Sequence, residues 1–231
     1  MGLRPFFKWC VRRKIIATSP AEKIDAPKNV EKRDRVLSEA EIKFFWLATD
    51  SLAKPYGAFH RVLLLTAQRR EEVAGMKWSE LNTNATTWTI PKERTKNGKE
   101  HLIHLSPQAL ACLPAKGDSP FVFPSQGGQT SISGYSKAKF KLDEATKFAK
   151  PWRVHDLRRT AASGMAALGF QPHIIERVLN HVSGAQGGLV GVYQRYEYLE
   201  DRKRALHAWG SHVEALVTEK PAIQNVVPLR A

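Results

Sequence analysis

The sequence predicts a mixed α+β chain, mainly α-helical, with one small antiparallel β-sheet. Three observations carry this. Apolar residues recur at helical spacing over most of the chain, as in Ile42, Phe45 and Trp46. Strict alternation is confined to one region, where Trp88 and Ile90 interleave with Thr87 and Thr89, and Ile103 and Leu105 mark one face of a second strand. Between them lies Asn97-Gly98, a pair that favours a hairpin turn because both residues tolerate positive φ. With 231 residues, 42% of them apolar, the chain suits one ordinary domain with short extensions and a real core.

The elements follow in chain order. Phe6 to Val11 reads as the end of an amphipathic helix, with Arg12, Arg13 and Lys14 after it. Pro20, Pro27 and many charges up to Arg35 predict an extended linker. Ser38 and Glu41 form a capping box, so a helix starts there. A second, strongly apolar helix is expected near Ala58 to Ala67, and a short one from Arg70 to about Ala74. After the two strands, Ser106-Pro107 caps another helix. Phe121-Val122-Phe123 is a short apolar piece in a Gly- and Pro-rich loop. From Ser136 onward the chain reads as mostly helical, with Gly169 ending one helix and Gln171-Pro172 starting the next. The expected divisions are 1–34 as a helix end and linker, 35–211 as the main domain, and 212–231 as a mobile tail.

Charge narrows the partners. Lys and Arg number 36 against 22 Asp and Glu, a net +14 that suits a polyanion, with nucleic acid ahead of an anionic membrane surface. No apolar run is long enough to span a membrane, and the N-terminus has no secretory h-region. Cys10 and Cys112 form no CxxC pair, and no histidine sits in a zinc motif. A reduced, cytoplasmic setting is expected.

The most informative segment is His155-Asp156-Leu157-Arg158-Arg159-Thr160. At helical spacing His155, Arg158 and Arg159 share one face, while Leu157, Ala161, Gly164 and Leu168 cluster on another. A guanidinium suits phosphate because its planar fork donates two hydrogen bonds at once. Taken alone, the segment fits a solvated basic face equally well. Arg69 stands at a helix junction with Glu72 three residues on, where ordinary charge pairing is the plainer reading. Lys96 precedes the Asn97-Gly98 turn, with Lys92 and Lys99 flanking it. His181 follows a helix end, and Tyr193 lies twelve residues later, near Tyr196 and Tyr198.

Together these pieces resemble the tyrosine recombinase family of phage integrases, over about Arg35 to Trp209. The family's motif order is Arg, Lys on a hairpin, His-x-x-Arg, His or Trp, then Tyr. It falls here on Arg69, Lys96, His155 with Arg158, His181 and Tyr193. The stretches LLLTAQRREEVAGMKW, TKNGKEHLIHLS, HDLRRTAASGMAALG and VLNHVSG are similar to integrase segments. Three positions depart from the usual pattern: Ala67 and Asn180 where Gly is frequent, and Glu71 where small or polar residues are common.

The resemblance implies a tyrosine recombinase catalytic-domain fold and a DNA strand-exchange chemistry. Tyr193 would attack a backbone phosphorus, form a 3′-phosphotyrosyl bond and expel a 5′-hydroxyl. Arg69, Arg158 and His181 would hold the nonbridging oxygens. Lys96 would be the general acid, His155 would orient phosphate or accept the tyrosine proton, and Glu72 would position the cluster. Arg70, Lys99 and Arg159 are expected to touch DNA. No metal and no cofactor is expected. The implied partner is double-stranded DNA, with a homotetramer on DNA for the full-length enzyme and a monomer for this chain alone. The family's N-terminal core-binding domain is represented only by the end of a helix and the linker. Two other readings stay open: a type IB topoisomerase, and a DNA-binding remnant without recombinase activity.

Overall fold

The computed structural model describes residues 3–24, 34–181 and 198–218. It contains two compact units, residues 1–34 and 35–231. In the first, α1 (Leu3–Arg12) buries Cys10 and leaves Leu3, Phe6 and Trp9 exposed. Residues 19–24 make turns, with the Glu22 N–H donating to Ser19 O at 3.1 Å, where extended chain was expected. Ser19 Oγ also accepts from the Ala21 N–H at 3.3 Å, which closes the turn locally.

The second unit is built round α3 (Tyr56–Thr66). Phe59, Val62, Leu63, Leu64 and Leu65 are all buried, which is how a helix apolar on every side must sit. Before it, α2 (Glu39–Ala48) starts at the Ser38–Glu41 capping box and buries Ile42 and Phe45. After it comes the short α4 (Arg70–Ala74). Then α5 (Pro107–Ala111) starts with Ser106 Oγ accepting from the Ala109 N–H. Next are α6 (Tyr135–Thr146), α7 (Val154–Ala167), α8 (Pro172–Val178) and α9 (Leu199–Thr218). Small residues let α7 and α9 close up: a Cβ on Gly164 would stand 2.1 Å from Trp209 Cζ3. The Trp209 indole N–H in turn donates to Leu64 O at 2.8 Å, which ties α9 to α3.

The sheet is antiparallel in the order β1 (Leu81–Asn82), β2 (Thr87–Ile90), β3 (His101–His104). Trp88 pairs with Leu81 on one side and Ile103 on the other, and it is fully buried with Ile90. β1 has two residues, too few to show alternation, so nothing in the sequence marks it. Thr87 is buried too, so β2 is less one-sided than alternation predicts. Asn97-Gly98 does not close a two-residue hairpin. It ends a turn inside a longer connection, residues 91–100, which begins with a helical turn at Lys92–Arg94. There the Gly98 N–H donates to Thr95 O at 3.3 Å, with φ +67 at Gly98.

Two further stretches differ from expectation or fix the site's frame. Residues 212–218, expected in the tail, continue α9, because Val213 is buried and Leu216 and Val217 pack on the core. Val122 and Phe123 are buried, with the Val122 N–H donating to Met76 O at 2.9 Å, so the loop before α6 is pinned. Among the described residues no helix is long and apolar enough to cross a membrane.

Two histidines are buried in this unit. Burial pushes His60 down to about 4. Burial, then the charge of Arg202, pushes His101 down to about 3. Both are therefore neutral in the folded state, whereas the unfolded chain binds protons below about pH 6.5. Their contribution to stability is full above that pH and is lost as pH falls toward 4 and 3. At pH 5 each is expected to cost about 2 kcal/mol relative to pH 8. Denaturant unfolding at the two pH values checks this. His60→Phe and His101→Asn should each flatten the acid limb, and an unchanged slope would show that these imidazoles do not set it.

Candidate active site

The site is assembled at the ends of helices. α3 ends on Ala67, which adopts the left-handed conformation (φ 56), and the chain then turns so that Arg69 becomes the N-cap of α4. This turn explains why Gly is frequent at the Ala67 position: a Cβ there costs about 1 kcal/mol. Glu72, on the first turn of α4, is 3% exposed. Its carboxylate accepts the Arg69 backbone N–H at 3.1 Å and Arg69 Nη1 at 2.9 Å. One buried acid therefore caps the helix and aims the arginine.

α7 starts where Asp156 Oδ2 accepts the Arg153 N–H at 2.7 Å. The shared face expected for His155, Arg158 and Arg159 has three different fates. His155 is exposed on the first turn. Arg159 pairs with the buried Asp156 at 2.5 Å. Arg158 turns inward and is 4% exposed, which rules out a solvated basic face for it. Its Nη1 donates to Ala67 O at 2.6 Å, and its Nη2 donates to Leu179 O. The guanidinium thus bridges the C-terminal ends of α3 and α8.

The last carbonyls of α8 form a second frame. Val178 O accepts from Gln68 Nε2 at 3.0 Å and from His101 Nε2 at 3.1 Å. Because His101 is neutral, its proton is on Nε2, and Nδ1 faces Arg202 Nη2 at 3.4 Å. Asn180 O accepts from Arg69 Nη2 at 3.3 Å. Asn180 is left-handed (φ 49), a conformation asparagine tolerates, and His181 follows it exposed, its N–H on Glu176 O at 3.0 Å.

Arg69, Glu72, Lys96 and His155 line one cleft of about 730 Å³, whose other wall includes Tyr135, Lys139 and Trp152. Arg70 lines it too, with its guanidinium 4.7 Å over the Tyr135 ring and 2.6 Å from Glu71. The unusual charge of Glu71 is thus met by Arg70. Arg158 and His181 adjoin Arg69, close enough for their charges to interact. Lys96 is exposed on the 91–100 connection, and so is Lys99. Neither Lys99 nor Arg159 lines the cleft among the described residues. Tyr193 and Tyr196 lie outside the described residues, whereas Tyr198 packs its ring 5.0 Å from that of His173. Gln68, Asn97, His101 and Asn180 were not singled out by sequence as site residues. Among the described residues, no group of three or more His, Cys, Asp or Glu side chains could hold a metal ion.

Charge at the site is unbalanced. Burial first, and Arg69 second, push Arg158 down to about 10, so it stays protonated at neutral pH. His155 and His181, though their side chains reach solvent, are both lowered, first by partial desolvation against the surrounding protein and next by Arg158. Neutral imidazoles can accept or relay a proton.

Residues 35–195 match the phage integrase family. Prophage integrase IntA of Escherichia coli K12 is 33% identical over 156 residues, 66% of this chain and 37% of that protein. Prophage integrase IntF of the same strain is 32% identical over 251 aligned positions, 99% of this chain and 51% of that protein. The chain therefore spans about half, or less, of these relatives. In fold it is similar to a lambda integrase fragment (75–356) solved as a dimer bound to a COC′ core site. That likeness has a TM-score of 0.61 at 17% identity and covers 78% of this chain and 69% of that one. A second solved structure, XerA recombinase, gives a TM-score of 0.55 at 19% identity, covering 87% and 69%.

The charge on Arg69 contributes to the depression of both site histidines. Arg69→Gln should therefore raise the pKa of His155 and of His181 toward the ordinary value. Imidazole proton shifts followed by NMR titration read this directly. Unchanged values in the variant would leave desolvation, Arg158 and, for His155, Arg159 as the lowering causes.

Proposed function

Since this chain belongs to the phage integrase family, we propose that it cleaves and rejoins DNA strands through a 3′-phosphotyrosyl bond formed by Tyr193. The observation that carries the reading is the charge of the cleft. Arg69, Arg70, Arg94, Lys96, Lys139 and Arg153 line it against Glu71 and Glu72, and the buried Arg158, outside the lining, is close enough to Arg69 for their charges to interact. Arg158 is buried with backbone carbonyls as partners. Such a site has a cation in excess, desolvated and held in place, and a phosphodiester is the anion that would balance it.

The step balances as follows. The Tyr193 oxygen forms a bond to phosphorus while the bond to the 5′-oxygen breaks. The tyrosine proton passes to neutral His155, and the departing oxygen takes a proton from Lys96. Arg69, Arg158 and His181 hold the nonbridging oxygens, and Glu72 fixes Arg69. Rejoining is the reverse, with a 5′-hydroxyl attacking the phosphotyrosine, so the bond energy is retained and no nucleotide is consumed. Arg70, Lys99 and Arg159 are placed on the DNA-contacting surface in this reading, with the net +14 supplying attraction to duplex DNA. The chain alone is taken as a monomer, and the full-length enzyme as a homotetramer on DNA. The matched relatives are named integrases and recombinases, which favours strand exchange over relaxation alone. The built arginine pair speaks against an inactive remnant.

Two outcomes test this. On a nicked suicide duplex, Tyr193→Phe should form no covalent adduct yet bind DNA nearly as well, whereas Tyr196→Phe should still form it. The reverse pattern moves the nucleophile to Tyr196. Arg158→Lys keeps charge but loses the fork that spans two carbonyls and a phosphate. Adduct formation should slow roughly a hundredfold, or about 3 kcal/mol, in protein that circular dichroism shows to be folded. A near wild-type rate would reduce Arg158 to a structural cation.

A further inference from the structure

The structure brings Asn97 and Asn180 together, although 83 residues separate them. Asn97 Nδ2 donates to Asn180 Oδ1 at 2.7 Å, and Asn180 Nδ2 approaches Asn97 Oδ1 at 3.4 Å. The orientation of Asn97 is fixed from its other side, because its Oδ1 also accepts the Lys99 N–H at 3.2 Å. Asn97 directly follows Lys96, and Asn180 directly precedes His181. The root of the same connection is held independently. Arg94 Nη2 donates to Glu72 O at 2.6 Å, and Thr95 Oγ1 donates to Lys99 O at 2.7 Å. Beyond Asn97 the tip is exposed at Lys96, Gly98 and Lys99.

We propose that the Asn97–Asn180 amide pair is a positioning device that latches the Lys96 loop to the His181 turn and so sets the proton donor over the leaving oxygen. The proposal rests on the recombinase reading above for the role of Lys96. A left-handed position at 180 needs only glycine, and asparagine there supplies something glycine lacks: an amide that reaches the loop. The backbone carbonyl of Asn180 already serves Arg69, so the residue joins the phosphate-binding side of the site to the acid side. Without the latch, Lys96 samples positions away from the cleft, and only the step that needs its proton slows.

Asn180→Gly is the discriminating variant, because glycine accepts the left-handed turn and keeps the carbonyl for Arg69. Adduct formation is measured on two nicked duplexes, one with the ordinary 5′-oxygen and one with sulfur at that bridging position, whose thiolate leaves without a proton. Asn180→Gly should be about tenfold slower on the oxygen substrate, the scale of one lost hydrogen bond at the chemical step. It should match wild type on the sulfur substrate, as Lys96→Ala should. Adding Asn97→Ala should cost less than the same change made in wild type, since the side-chain pair is already broken and only the Asn97 contacts with the Lys99 N–H and Asn180 O remain to be lost. Independently of activity, trypsin should cut after Lys96 and Lys99 faster in Asn180→Gly, read by mass spectrometry of the first fragments. Equal slowing on both substrates, an unchanged oxygen rate, or unchanged tryptic protection overturns the latch. If wild type forms no adduct with either duplex, the recombinase reading fails with the proposed role of Lys96, while the tryptic comparison still decides whether the amides hold the loop.

Discussion

The buried guanidinium of Arg158 is the interaction on which the site depends. It joins Ala67 O, at the end of α3, to Leu179 O, at the end of α8. Helix C-termini carry partial negative charge and unpaired carbonyls, so a cation is the natural cross-link between two of them. Removing a partner from a buried charge typically costs about 3–5 kcal/mol, so this bridge fixes the relative position of three helices. The carbonyls it fixes sit next to Arg69 on one side and next to Asn180 and His181 on the other. The residue that holds the fold together here is also one of the two arginines that the proposed reaction assigns to phosphate. In that proposal a phosphate does not have to organise the site; it would meet donors already oriented by the backbone.

Two left-handed, non-glycine residues border that bridge, Ala67 (φ 56) and Asn180 (φ 49). Each ends a helix, and each turns the chain so that its carbonyl meets an arginine, Arg158 at Ala67 and Arg69 at Asn180. Such conformations persist only where the surroundings over-determine them. At Ala67 the surroundings are Arg158 and the core, where the alanine is fully buried. At Asn180 they are Arg69 and Asn97. Alanine contributes packing to its turn, and asparagine contributes an amide.

Much of this was legible in the sequence, and the parts that were not share one cause. The capping box at Ser38, the Arg69–Glu72 pairing, the Ser106-Pro107 start and the short α4 are set by residues within one turn of each other, so local chemistry identifies them. The motif order found Arg69, Lys96, His155 and Arg158, and the structure brings them into one neighbourhood. The helical period places Arg158 beside Arg159 on a polar face, yet one is buried and the other half-exposed. Its partners Ala67 and Leu179 lie 91 and 21 residues away, so no local pattern contains them. The same holds for Asn97 and Asn180, and for Gln68, whose amide reaches Val178 O. β1 was hidden by its length, and the end of α9 by a tail whose apolar residues pack on the core after all.

Arg202 follows residues 182–197, the segment that holds Tyr193. That segment leaves the described chain after His181 and returns at Tyr198. His101, on β3, touches both sides of it. Its Nε2 donates to Val178 O, just before the departure, and its Nδ1 faces Arg202, just after the return. Arg202 also donates to Leu102 O. Val178 and Arg202, which flank residues 182–197 in sequence, are thus tied to one buried, neutral imidazole and the strand that carries it. The same strand closes the 91–100 connection that bears Lys96. A single short β-strand therefore supports the connection bearing Lys96 from one end and contacts Val178 and Arg202 from its face, while α7 holds Arg158. The strand cleavage proposed for this chain needs its groups in line across phosphorus, and a shared rigid support is how residues so distant in sequence can be kept in register.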